Sequence, residues 1–178
     1  MIYMDNASTT VVDKEAFDIA KKYLFENYAN PSSSYSMAND VKADMEDARE
    51  MIADILGARY NEIYFTSGGS EANNWAILKS CELMENKGKH IISSKIEHHS
   101  VLHTLSYLEK KGYEVTYIGT DETGLIDINE LKSAIREDTV LISIMFANNE
   151  IGTIEPIKEI GKLAHEHNIL FHTDAVQA

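Results

Sequence analysis

The stretch VLISIMF, residues 140–146, decides the fold class, because it lacks the alternation of polar and apolar residues expected of a half-buried strand. A strand buried on both faces has this pattern, and such strands are typical of parallel sheets covered by helices. Downstream, ILFHT at 169–173 predicts a second buried strand. Between the two, Pro156, Ile157 and Ile160 indicate a helix.

The same alternation of strands and helices extends toward the N-terminus. Strands are predicted at 62–65, 89–94 and 113–118, with helical spacing of apolar residues between them. Asp127 is expected to cap a short helix, and Gly57 is expected to end a long one. Repeated strand–helix–strand order predicts an α/β fold with a three-layer, mostly parallel sheet.

Composition restricts the classes of function. The formal net charge is −13, from 16 basic and 29 acidic residues, which disfavours binding to nucleic acid or to an anionic membrane surface. One cysteine permits no intrachain disulfide and fits a reducing compartment. The start of the sequence lacks the features of a signal peptide, and no apolar run is long enough for a membrane helix. We expect a cytoplasmic protein with no nucleic acid or membrane partner.

Ligands of open α/β sheets bind beyond the carboxyl ends of the strands, so the residues that follow each predicted strand are the candidate site residues. The segment TSGGSEANN, 66–74, follows the predicted strand at 62–65. Gly69 permits close backbone approach, and Ser70 is expected to cap the following helix. Free amides and the helix dipole there predict an anion site, although an ordinary helix start is the alternative.

His98 lies in KIEHHSVLHT, 95–104, just after the predicted strand at 89–94. It is expected at the same edge of the sheet, although a polar loop histidine without a function is the alternative. His99 and His103 have the i, i+4 spacing of two metal ligands on a helix. No third ligand has matching spacing, so no metal site is predicted.

Amide and carboxylate side chains follow the last two strands. Asn148 and Asn149 come after 140–146, where a simple strand-to-helix turn is the alternative. Asp174 and Gln177 come after 169–173, and a carboxylate there is costly unless it meets a partner. An anion site, a flat histidine, amides and a sheltered carboxylate together fit a planar, phosphorylated heteroaromatic ring with a protonatable nitrogen.

Six blocks of sequence resemble the class V, fold type I pyridoxal-phosphate enzymes, and within them the NifS/IscS-type cysteine desulfurases. The blocks are YMDNASTT at 3–10, NPSSSYSMA at 30–38, FTSGGSEANN at 65–74, EHHSVLHT at 97–104, MFANNEIG at 145–152 and HTDAVQA at 172–178. Their order and spacing cover essentially the whole chain. The resemblance implies pyridoxal 5'-phosphate as the cofactor.

The resemblance also implies roles for residues of the first blocks. Gly69, through its backbone, and Ser70 resemble the residues that bind the cofactor's phosphate. His98 resembles the histidine that stacks on the pyridine ring and assists proton transfer, and is thus the candidate catalytic residue.

The later blocks supply the other implied cofactor-binding residues. Asp174 resembles the carboxylate that pairs with the pyridinium nitrogen, which lets the ring accept electrons. Asn149 and Gln177 resemble the side chains near the phenolic oxygen. Cys81 does not match the family's catalytic cysteine, and its helical spacing with Ile77 and Met84 predicts a core thiol.

The family converts L-cysteine to L-alanine, with the sulfur left as an enzyme persulfide for iron–sulfur cluster assembly or other sulfur transfer. The resemblance therefore implies L-cysteine as substrate, a sulfur-acceptor protein and a homodimer. The family's Schiff-base lysine and catalytic cysteine come later than Asp174, beyond the last residue. We accordingly expect residues 1–12 to be an N-terminal segment and 13–178 an incomplete large domain, inactive alone. A selenocysteine lyase, a transaminase, or a non-enzymatic cofactor- or partner-binding fragment remain alternatives.

Overall fold

The computed structural model describes residues 2–178. Its internal contacts divide the chain into two compact units, one ending at Phe65 and one spanning Thr66–Ala178. Each unit is described separately below. None of the helices in the described residues is long and apolar enough to cross a membrane.

The first unit contains two helices, α1 (Lys14–Phe25) and α2 (Ser36–Leu56). The carboxylate of Asp13 caps α1 by accepting a hydrogen bond of 2.9 Å from the Ala16 amide. Helix α2 ends at Gly57, whose φ of 64° lies in the left-handed region that favours glycine. The predicted helix end at Gly57 is confirmed.

The predicted strand at 62–65 is wrong. Tyr60–Glu62 forms a single 3₁₀ turn, and the residues after it lie outside the sheet. The carbonyl of Ile63 accepts a hydrogen bond from the Arg49 guanidinium, and the same group lies 4.9 Å from the centre of the Phe65 ring. This segment therefore hydrogen-bonds to an arginine side chain and not to a neighbouring strand.

The second unit alternates helices and strands. Its elements are α3 (Gly69–Leu83), β1 (His90–Ser94), α4 (His99–Lys110), β2 (Glu114–Ile118), α5 (Ile128–Ala134), β3 (Thr139–Ser143), α6 (Ile157–Glu166) and β4 (Leu170–His172). The four strands form one parallel sheet in the order β2-β1-β3-β4. Asp127 caps α5 as predicted, with its carboxylate accepting from the Asn129 amide at 2.8 Å.

Two apolar cores cover the two faces of this sheet. Neighbouring residues of a strand point to opposite faces, and Ile91 and Ile92 accordingly belong to different cores. One core contains buried residues of α3 and α4, and the other contains buried residues of α5 and α6. The predicted three-layer α/β fold with a parallel sheet is confirmed.

The strand order places a topological switch point between β1 and β3. Strand β1 leads into α4 on one face of the sheet, and β3 leads into α6 on the other. The chain therefore diverges at the carboxyl ends of these strands, where open α/β sheets bind their ligands. The Ile144 and Phe146 amides donate to the carbonyls of His172 and Asp174, which keeps the segments after β3 and β4 together.

Candidate cofactor site

The start of α3 presents the backbone amides of a first helical turn. The N-cap of α3 is Gly68, which has no side chain to accept a hydrogen bond from the helix. The prediction that Ser70 caps this helix is therefore wrong. Ser70 instead lies within the first turn. The carboxylate of Glu71 accepts from the hydroxyl of Ser67 at 2.7 Å and from its amide at 2.6 Å, which lowers the pKa of Glu71. These bonds hold the turn before the helix.

The first turn of α3 lies against the segment that follows β4. A Cβ atom added at Gly69 would lie 2.6 Å from Cγ2 of Val176, which is closer than side-chain atoms normally approach. Glycine thus lets the backbone of α3 approach this segment. Gly69 and Val176, which are far apart in sequence, are therefore in close contact.

His98 is the N-cap of α4 and borders two cavities. Its Nδ1 accepts a hydrogen bond of 3.2 Å from the Ser100 amide and lies 2.8 Å from the Ser100 hydroxyl. One cavity, of about 550 Å³, is also lined by Ser70. The other, of about 280 Å³, is also lined by Asn149. His98 is therefore the predicted residue that borders both of these spaces.

The two asparagines after β3 have different positions. Asn148 is buried and structural, because its Oδ1 accepts from the amides of Glu150 and Ile151 and its Nδ2 donates to the Ile96 carbonyl. Asn149 is half-buried and lines the smaller cavity with His98. Asn148 also lines this cavity, but its side-chain amide is already hydrogen-bonded within the loop, so Asn149 is the better candidate for a ligand contact.

Asp174 is 7% exposed and accepts two hydrogen bonds. Its Oδ2 accepts from Asn73 Nδ2 at 2.7 Å, and its Oδ1 accepts from the Val176 amide at 3.1 Å. Both donors are neutral, and each oxygen keeps lone-pair capacity for a further donor. A cationic N–H group would offset the cost of this buried charge.

Gln177, the last of the predicted site residues, is exposed in the turn after Asp174. It lines neither of the two cavities that His98 borders. The structure therefore brings Ser70 and Asn149 to the two cavities that His98 borders, and Gly69 to the segment that follows β4.

Sequence reasoning missed three polar residues that connect the predicted ones, namely Asn73, Ser100 and His172. Asn73 on α3 hydrogen-bonds to Asp174, Ser100 and His172. Burial lowers the pKa of His172 to about 4, although the nearby Asp174 charge partly opposes this shift. The available signal was spacing: Asn73 follows Ser70 by three residues on one helix face, and His172 precedes Asp174 by two.

Glu97, immediately before His98, is a fourth residue that the sequence did not reveal. It is 4% exposed, and its Oε1 accepts from the Ser94 hydroxyl at 2.7 Å and from the Met145 amide at 3.0 Å. Its Oε2 is buried without a hydrogen-bond partner among the described residues. Burial raises the pKa of Glu97 to about 7, with smaller contributions from the charges of Asp174 and Glu155.

The His99–His103 pair and Cys81 lack the surroundings of a metal site or a reactive thiol. The rings of His99 and His103 stack with their centres 5.5 Å apart, but within residues 2–178 no group of three or more potential ligands is arranged to hold a metal ion. Cys81 is 1% exposed in the core of the α3 and α4 face, and burial raises its pKa to about 12. The predicted core position of this thiol is confirmed.

A parallel α/β sheet with an amide-rich helix start and a sheltered carboxylate at its carboxyl edge is the architecture of a fold type I pyridoxal-phosphate enzyme. The model of the family "Aminotransferase class-V" matches residues 2–178. The chain therefore belongs to the class V aminotransferase family, whose members use pyridoxal phosphate.

Among curated proteins, the chain is similar to several that are named cysteine desulfurase. The chain is 57% identical to "Cysteine desulfurase IscS" of Methanosarcina thermophila over 99% of its own length and 44% of that protein. It is 52% identical to "Cysteine desulfurase IscS" of Clostridium botulinum strain Hall, over 99% of its length and 45% of that protein. The chain thus spans less than half the length of these relatives.

Solved structures show the same likeness. A protein titled "NIFS-LIKE PROTEIN" superposes with a TM-score of 0.95 at 40% identity, covering 99% of this chain and 49% of that one. The structure "SspA in complex with cysteine" gives a TM-score of 0.93 at 45% identity, covering 99% of this chain and 51% of the other. The predicted fold and the resemblance to NifS/IscS-type enzymes are confirmed.

The donor set fits the family's cofactor. The first turn of α3 supplies amides for a phosphate, and the Asp174 carboxylate has capacity for a protonated ring nitrogen. The imidazole of His98 is an exposed planar group at the edge of both cavities.

Proposed function

We propose that the protein is a cysteine desulfurase and that this chain supplies part of its pyridoxal-phosphate site. The proposal rests chiefly on one observation: His98 is linked through Ser100 and Asn73 to the buried Asp174 carboxylate by hydrogen bonds of 2.7–2.9 Å. The likeness to relatives named cysteine desulfurase supports the same reaction.

Each proposed residue has a role that its position supports. The amides of Gly69 and Ser70 would bind the phosphate, with the Ser70 hydroxyl beside the cavity shared with His98. Asp174 would hold a proton on the ring nitrogen, and the cofactor so protonated supplies an electron sink for the substrate's α-carbon. Asn149 and Gln177 would contact the phenolic oxygen.

His98 is the proposed catalytic residue. Its Nδ1 is occupied by the two donors of Ser100, which leaves Nε2 as the nitrogen that can exchange a proton with a ligand. The ring would also lie against one face of the cofactor. Stacking and proton transfer would therefore use different parts of the same imidazole.

The substrate and partners of the whole protein form part of the proposal. L-cysteine is the proposed substrate, which yields L-alanine and a persulfide for a sulfur-acceptor protein in iron–sulfur cluster assembly or other sulfur transfer. We further propose a homodimer in the cytoplasm, with residues 13–178 as part of the large, cofactor-binding domain.

A spectroscopic titration of the chain with pyridoxal 5'-phosphate tests the site. We expect saturable binding of one equivalent, and we expect Asp174→Ala to weaken it about 10- to 100-fold, because a hydrogen bond to a charged group is lost. Borohydride reduction followed by mass spectrometry separates this binding from adducts on surface lysines.

Glu122→Gln is the matched control, since it removes an exposed carboxylate from the turn at 121–124. Unchanged affinity in Asp174→Ala, or an equal loss in both variants, would contradict the proposed pairing. Circular dichroism of each variant verifies that the fold is retained.

A further inference from the structure

Asn73 joins the carboxylate of Asp174 to two histidines. Its side chain is 5% exposed, and its Nδ2 donates to Asp174 Oδ2 at 2.7 Å and to Ser100 Oγ at 2.9 Å. Its Oδ1 lies 3.2 Å from His172 Nε2. All the hydrogen-bonding capacity of the amide nitrogen is thus used within the site.

The direction of each hydrogen bond on the His172 side follows from the carboxylate. An ionised carboxylate only accepts, so the amide nitrogen of Asn73 must face Asp174 and its carbonyl must face His172. Nε2 of His172 is therefore a donor. The other ring nitrogen, Nδ1, lies 2.8 Å from the Ser143 hydroxyl and accepts from it. The lowered pKa of His172, about 4, agrees with a neutral ring that carries one proton.

The second branch leads to His98. Because the Ser100 oxygen accepts from Asn73, its own hydrogen is free to point at His98 Nδ1, 2.8 Å away. The Ser100 amide donates to the same nitrogen at 3.2 Å. Two donors on Nδ1 place the proton of the neutral His98 ring on Nε2.

We propose that Asn73 is a positioning residue that sets the orientation of the Asp174 carboxylate and the tautomer of His172, and that directs the Ser100 hydroxyl hydrogen toward His98. The inference rests on the proposed function, because its consequence is that two proposed cofactor contacts, Asp174 and His98, both depend on the side-chain amide of Asn73. Asn73 itself contacts neither substrate nor cofactor in this proposal.

Nuclear magnetic resonance of the histidine side chains, in the cofactor-free chain at pH 8, tests the inference without any cofactor. We expect both His98 and His172 of the wild-type chain to carry the proton on Nε2. In Asn73→Ala, the His172 signals should move toward the tautomer mixture of an unconstrained imidazole, because the remaining partner, the Ser143 hydroxyl, can either donate or accept. Pyridoxal-phosphate affinity should fall about two- to tenfold, because an Asp174 carboxylate released from Asn73 must be ordered again when it meets the ring nitrogen.

Thr139→Ala is the matched control. Thr139 is buried at the amino end of β3, away from the carboxyl edge that carries Asp174, and its hydroxyl accepts from the Arg136 amide at 2.8 Å and lies 2.8 Å from His90 Nδ1. A merely structural role of Asn73 would lower thermal stability in both variants and leave the His172 spectrum unchanged. Asn73→Ser keeps one donor and should give an intermediate loss, which preserves the test if Asn73→Ala does not fold.

The outcomes separate this inference from the proposed function. A wild-type His172 or His98 with its proton on Nδ1, or His172 signals that are identical in Asn73→Ala and wild type, would overturn the inference. Failure of the wild-type chain to bind the cofactor, with the expected tautomers present, would overturn the proposed function alone.

Discussion

Two side chains near the carboxyl ends of the strands, His172 and Glu97, have pKa values that are shifted by burial. His172 is held neutral by burial, and Glu97 is held partly protonated by the same cause. These two groups have opposite effects on stability between acidic and neutral pH, since burial disfavours the charged form of each. Their separate contributions become visible only when one of them is removed.

Glu97→Gln should change how stability depends on pH. The folded carboxyl has a pKa of about 7, against an ordinary value of 4.5, so the folded chain binds more protons between these values. The contribution of Glu97 to the free energy of unfolding is full below about pH 4.5 and falls by about 3 kcal/mol as the pH rises through 7. Relative to wild type, Glu97→Gln should therefore gain about 3 kcal/mol between pH 4.5 and pH 8.

Urea unfolding of both chains across this range measures that difference. His172 is present in both, so its opposite contribution cancels. Glu122→Gln controls for the loss of one negative charge at an exposed position. If the difference in the free energy of unfolding between Glu97→Gln and wild type stays constant with pH, burial does not raise the pKa of Glu97.

Cys81 should be unreactive in the folded chain. Its pKa of about 12 leaves about one thiolate in ten thousand at pH 8, and the thiolate is the nucleophile. We expect an aromatic disulfide reagent to modify it at a negligible rate in native buffer and rapidly in guanidinium chloride. Rapid modification of the native chain would refute the core position and reopen a role for this thiol in sulfur transfer.

The sequence predicted part of this residue-scale picture. Asp174 was found because a carboxylate at the end of a buried strand requires a partner, and His98 because it follows a strand and begins a helix. Asn73 and Ser100 could not be found in that way, since both lie inside helices, where polar residues usually face solvent. The spacing of Asn73 from Ser70 placed it on the same helix face, but its contacts depend on how α3 and α4 pack together, which spacing alone does not give.

At the scale of elements, the ends of helices and strands do most to assemble the site. The first turns of α3 and α4 carry Ser70 and His98, and the segments after β3 and β4 carry Asn149 and Asp174. Strands β3 and β4 were predictable from the apolar runs at 140–146 and 169–173, and β1 and β2 from their place between helical patterns. The segment 62–65 was mispredicted because strand formation requires a neighbour, and there the Arg49 side chain takes the Ile63 carbonyl.

Gly57→Ala tests the assigned end of α2. The φ of 64° at Gly57 costs an alanine about 1 kcal/mol, while a Cβ at this position would meet no atom within 4 Å. We expect that loss in the free energy of unfolding, measured with urea. Gly57→Asn adds a side chain at the same place but tolerates positive φ, so its loss should be smaller. Equal losses would contradict the left-handed conformation.

At the scale of the whole molecule, an acidic chain is proposed to bind an anionic cofactor. The net charge of −13 opposes binding of a phosphate, and the residues lining the cavity shared by Ser70 and His98 include no lysine or arginine. Attraction must therefore come from oriented backbone amides and the helix dipole rather than from net positive charge. This makes the position of the phosphate a strict test of the account.

A crystal structure of the chain soaked with pyridoxal 5'-phosphate is the most direct measurement. We expect the phosphate at the first turn of α3, the ring nitrogen within hydrogen-bond distance of the Asp174 carboxylate, and the ring against His98. A cofactor bound through a surface lysine, or with its phosphate away from Gly69 and Ser70, would contradict this arrangement.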